Sequence, residues 1–127
     1  MRFTIRFLAV GLIILSLVGC VSTITNLTPS QQPRNATGLY PVGVAWDTRL
    51  ATIRPQTLTP YVIVGDNAYP LQPTPLMSNR WETVIPVPAT ERFVHYHFKI
   101  DYEYSRMGKP GKSSVLSQDY TFRIMEK

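Results

Sequence analysis

The chain has 127 residues, with 13 basic against 8 acidic side chains, 11 prolines and a single cysteine. That length holds one small domain and not two. A net charge of +5 is mild and lacks the clustered basic face of a nucleic-acid binder, and a lone cysteine excludes an internal disulfide or a cysteine-rich metal site.

The first predicted element is an export signal. Arg2 and Arg6 precede an apolar run over residues 7–18, broken only by small residues and Ser16. This is the charged-then-apolar layout of a secretory leader. The run is shorter than the roughly 20 apolar residues a membrane-spanning helix needs, and polar Ser22, Thr23, Thr25 and Asn26 soon follow. Gly19 offers the small side chain a signal peptidase requires, and Cys20 is the one thiol.

Leu17-Val18-Gly19-Cys20 resembles the lipobox of bacterial lipoproteins. The resemblance implies cleavage between Gly19 and Cys20, a palmitate-type diacylglyceryl group on the Cys20 sulfur, and acylation of the new amino terminus. Three acyl chains exceed the two signals that stable anchoring requires. Val21, rather than Asp, after the cysteine implies sorting to the outer membrane of a Gram-negative envelope. A non-lipidated secreted chain and an uncleaved anchor are the alternatives. With residues 1–19 removed, 11 basic side chains face 8 acidic ones, and the fold must be held by its core alone.

Residues 20–37, rich in Ser, Thr, Asn and Gln with Pro29 and Pro33, read as the lipidated end and a flexible tether. Residues 38–127 read as the domain, and its pattern is β. In residues 39–46, Tyr40, Val42, Val44 and Trp46 alternate with smaller residues, a period of two that sets the bulky side chains on one face. Asp47-Thr48-Arg49 reads as a turn, and residues 52–54 as a short strand. Residues 61–64 form a β-branched strand, and Gly65-Asp66-Asn67 supplies hairpin turn chemistry before Ala68, Tyr69 and Leu71 return.

Pro70, Pro73 and Pro75 make residues 71–78 an irregular crossing between sheets. Residues 80–87 follow as a strand, with Trp81, Thr83, Ile85 and Val87 on one side and Glu82, Val84 and Pro86 on the other. Residues 93–104 give the clearest strand. Val94, Tyr96, Phe98, Ile100, Tyr102 and Tyr104 share one face, and His95, His97, Lys99, Asp101 and Glu103 the other. Residues 105–114 read as a mobile loop carrying Arg106, Lys109 and Lys112. Tyr120, Phe122 and Ile124 then return alongside.

Short strands punctuated by Pro and Gly, with no sustained helical period, predict an all-β fold. About seven strands suit a single immunoglobulin-like antiparallel β-sandwich after a cleaved lipoprotein signal. Arg80-Trp81-Glu82, the apolar residues 84–87 and the tyrosine-rich residues 93–104 are similar to early-set immunoglobulin-like domains, including starch- and glycogen-binding modules. Together with Leu27-Thr28-Pro29-Ser30 and Val44-Ala45-Trp46-Asp47, they also resemble small bacterial lipoproteins bearing an immunoglobulin-like domain.

For function, no nucleophile elbow, phosphate loop or HExxH motif is present, so no enzyme is expected. His95 and His97 lie two apart on the polar face with Asp101 further along, a spacing some β-scaffold metal sites use. Lys99 stands in the same row, and an ordinary exposed face accounts for both histidines, so neither metal nor other cofactor is expected. Trp81, Arg106, Lys109 and Lys112 are the candidate contacts for a ligand or partner.

The leading expectation is an envelope lipoprotein whose non-catalytic domain binds a protein partner or serves assembly. The alternative is a surface carbohydrate-binding module holding a glycan on exposed aromatics, although most aromatics here fall in phase with a core.

Overall fold

Ten strands order the chain from Ser22 onward; the computed structural model describes residues 22–49 and 52–126. The first sheet contains β1 (Ser22–Asn26), β3 (Leu39–Thr48), β7 (Arg80–Pro86) and β6 (Gln72–Pro73), in the order β1-β3-β7-β6. The second runs β2 (Gln31–Pro33), β10 (Tyr120–Met125), β8 (Phe93–Arg106), β4 (Thr59–Val64) and β5 (Asn67–Pro70), with β9 (Lys109–Leu116) paired to the far half of β8. Every pairing is antiparallel except β2 with β10. This is the immunoglobulin order, in which strands A, B, E and D pack on G, F, C and C′.

Period-two alternation fills the space between the sheets. Tyr40, Val42, Val44 and Trp46 of β3, with Trp81 and Ile85 of β7, meet Val62 of β4, Val94, Tyr96, Phe98 and Ile100 of β8, and Phe122 and Ile124 of β10. The expected inward faces of residues 39–46, 80–87, 93–100 and 120–124 are thus the observed ones. Phe122 lies 6.1 Å, centroid to centroid, from Tyr40 of the opposite sheet and 5.7 Å from Tyr96. Such tilted ring pairs add to the area they bury.

The tether expected over residues 20–37 is corrected within its described part. Residues 22–26 and 31–33 are strands, so the sandwich begins by Ser22 rather than at Gly38. An edge strand needs few inward apolar residues, and Ile24 suffices to pack against the core. Two of the polar residues, Thr28 and Gln32, are buried with partners. Thr28 Oγ1 accepts the Gly43 N–H at 3.2 Å, and Gln32 Nε2 donates to the Pro41 carbonyl at 3.0 Å. The predicted leader, Gly19 and Cys20 lie outside the described residues.

Three local expectations also change. Asp47 and Thr48 continue β3 instead of turning, because both pair with β1. Residues 52–54 contribute one bridge, Ile53 to Tyr104, rather than a strand. The loop expected over residues 105–114 is mostly strand: a two-residue turn at Met107-Gly108 joins β8 to β9. With these additions the strands number ten where about seven were expected. Among the described residues, no helix is long and apolar enough to cross a membrane.

Arg34, just past β2, ties that strand to the end of β10 and to the turn before β8. Its Nε donates to Glu126 Oε1 at 3.0 Å and its Nη2 to the Glu91 carbonyl at 2.9 Å. The same hydrogen bond and charge raise the pKa of Arg34 and lower that of Glu126 from their ordinary values.

Candidate functional site

Of the four candidate contact residues, Arg106 and Lys109 come together, whereas Lys112 and Trp81 lie apart from them. Arg106 and Lys109 stand directly opposite each other next to the β8–β9 turn, and Lys112 faces Glu103 three pairs further in, on the other face of the hairpin. All three basic side chains are exposed. Trp81 is only 7% exposed and belongs to the core, where inward alternation on β7 places it. It is withdrawn as a free stacking surface. Trp46 is likewise buried, and its ring lies 5.6 Å from Tyr102.

His95 and His97 share the outer face of β8, as their spacing required. His95 Nδ1 is 2.8 Å from Thr121 Oγ1, and His97 Nδ1 is 3.7 Å from Asp119 Oδ1. Each histidine thus has a separate neighbour on the β10 side. Among the described residues, no group of three or more His, Cys, Asp or Glu side chains converges to hold a metal ion.

A feature not singled out in the sequence lies on the outer face of the first sheet. The register sets Leu39 opposite Pro86 and Pro41 opposite Val84. Leu39 is 43% exposed and Val84 is 52% exposed, so apolar side chains adjoin on the solvent side of a sheet. Leu27 and Pro29 border them, and a groove of about 550 Å³ runs over Gly43 between these residues and Arg80, Glu82 and Thr74. The available signal was the apolar character of Pro41, Val84 and Pro86 in the outward phase of their strands. An antiparallel sheet with one wet face carries polar residues there.

The sheet edges contrast with this face. Of the strands at sheet edges, β2, β5, β6 and β9 each carry a proline, at Pro33, Pro70, Pro73 and Pro110. Prolines and short strands blunt edge-to-edge pairing. The accessible apolar feature is therefore the face between the edges.

No protein-family model matches the chain, and no curated protein does. Among solved structures it is similar to murine CRIg, at 13% identity and a TM-score of 0.42, over 83% of this chain and 98% of that one. The strand order described above defines the fold.

Proposed function

We propose that the chain is a lipid-anchored protein of the bacterial envelope, held at the outer membrane through Cys20. Its non-catalytic immunoglobulin-like domain recruits a protein partner. The observation that carries the partner reading is the apolar groove bordered by Leu27, Pro41 and Val84, open to solvent on a sheet face. Contiguous exposed apolar surface of this kind suits a protein interface. A carbohydrate-binding module would need a platform of exposed rings. Among the described residues, Phe93 is the one largely exposed aromatic ring, and no second such ring joins it to form a platform.

A photo-crosslinking residue at Val84, introduced in the intact chain and irradiated in living cells, tests the reading. The expected result is a discrete protein adduct of constant mass, lost or reduced when Cys20→Ala removes the anchor. The same residue at Asp66, in the distant β4–β5 turn, gives none. Equal adducts at the two positions, or none at Val84, would overturn partner recruitment through this face.

A further inference from the structure

The end of the sandwich at which Ser22 enters has a character of its own. Trp46 and Tyr102 touch across the sheets, and beyond them each sheet runs on into its own loops. The Trp46 N–H donates to the Asn79 carbonyl at 3.1 Å, and Arg54 Nε donates to Ser105 Oγ at 2.9 Å. Ser22, paired with Thr48, therefore shares one end of the domain with the 74–79 turn and the tip of the β8–β9 hairpin.

Charge is gathered there. Arg49, Arg54, Arg80, Arg106, Lys109 and Lys112 are all exposed at this end, against the acidic Asp47 and Glu103. At the opposite end Asp66, Glu91 and Glu126 balance Arg34, Arg92 and Arg123. The domain is electrically polarised along its strands.

Two apolar tips sit among these cations. Leu76 (φ 65°) and Met107 (φ 53°) are non-glycine residues in the left-handed region, and both side chains are fully exposed. Met107 and Gly108 both have positive φ, a two-residue hairpin turn that favours Asn-Gly. Leu76 follows Pro75 in a turn closed by the Met77 N–H on the Thr74 carbonyl at 3.1 Å, a position that favours Gly or Asn. Arg106 and Lys109, moreover, are like charges held directly opposite, which repel. Each feature is unfavourable to the domain alone, and all lie at one end.

The hairpin tip stands near the level the anchor can reach. At about 3.3 Å per residue, Met107 lies roughly 17 Å beyond Tyr102, Ser22 roughly 7 Å beyond the level of Trp46, and Leu76, three residues past Asn79, at most roughly 10 Å beyond it. The two links from Ser22 to Cys20 reach up to about 7 Å more, which brings Cys20 within about 3 Å of the level of Met107.

We propose that this end rests on the anionic phospholipid headgroups of the leaflet that carries Cys20. Met107 enters the boundary between headgroups and acyl chains, Leu76 meets the headgroups behind it, and the basic side chains lie over the phosphates. The strands then run along the membrane normal, and the groove at Val84 faces sideways, toward a partner in the same envelope layer. The placement of Cys20 rests on the lipoprotein reading above; the contact surface is the domain's own.

The test uses the full chain purified from envelope membranes, combined with vesicles of phosphatidylcholine alone or mixed with phosphatidylglycerol. Flotation and hydrogen exchange over residues 105–110 are the readouts. The chain is expected to float with both compositions, and exchange at the tip to slow about tenfold on the anionic vesicles alone. Residues 65–67 at the other end stay unchanged. Arg106→Ser with Lys109→Ser should abolish the slowing without lowering the melting temperature, because it removes a repulsive pair. Met107→Asn should weaken the slowing and raise the melting temperature.

Equal exchange on the two compositions, or slowing that survives the double variant, would overturn the headgroup contact while leaving the anchor standing. Flotation with anionic vesicles only, lost in the double variant, would uphold the contact and overturn the anchor. Flotation with neither would overturn both.

Discussion

Phe122→Ala is expected to lower the unfolding free energy by about 3–5 kcal/mol, a large share of the roughly 5–15 kcal/mol a domain of this kind possesses. Phe122 is fully buried on β10 and spans the two sheets, between Tyr40 and Tyr96. Alanine would lose the transfer energy of the ring and leave a void among stiff aromatic neighbours that cannot collapse into it. Urea unfolding at neutral pH measures the change. A loss under about 1 kcal/mol would mean that the aromatic cluster does not join the sheets as described.

The second large effect is expected at Asn26, where sequence and structure differ most. Its Nδ2 donates to Tyr96 Oη at 2.8 Å, from the first strand of one sheet to the central strand of the other, and its Oδ1 accepts the Thr28 N–H at 3.1 Å. Asn26→Ala strips a partner from the hydroxyl of Tyr96, which is only 2% exposed. The expected cost is about 1–3 kcal/mol by urea unfolding. A residue in a solvated tether would change stability by no more than about 0.5 kcal/mol. Tyr96→Phe made alone and together with Asn26→Ala gives the coupling, which should be well above zero for a direct bond.

The sandwich was legible where one face is buried and the other wet. On β8, Val94, Tyr96, Phe98 and Ile100 alternate with His95, His97 and Lys99, and a one-residue slip would bury the polar row. The turn at Gly65 and Asp66 was legible because the chemistry of a tight hairpin is local. The first two strands were not, since Ser22–Asn26 and Gln31–Pro33 are stabilised by partners far along the chain and their polar side chains suggest solvent. Strand β9 was hidden for a related reason. Its Lys109, Pro110, Gly111 and Lys112 read as loop, yet the ring of Tyr104 lies over the bare backbone of Gly111, where a larger residue would collide with it. The partner strand supplies the packing that glycine lacks.

The site was legible only in part. The three basic residues of the hairpin were visible as charges, but the opposition of Arg106 and Lys109 across a two-residue turn required the register. Trp81 carried a functional expectation from its residue type, and its phase on β7 took it into the core. The apolar groove was missed because Pro41 and Val84 gain meaning only when β3 and β7 pair and bring them together.

The account turns on Cys20, since both the partner reading and the placement of the domain start from an anchor two residues before Ser22. Intact mass spectrometry of the chain purified from envelope membranes, beside Cys20→Ala, tests that most directly. The predicted result is a chain beginning at Cys20 and carrying three acyl groups, with the variant neither cleaved there nor acylated. A chain that begins elsewhere, or a Cys20 bearing a free thiol, would contradict it.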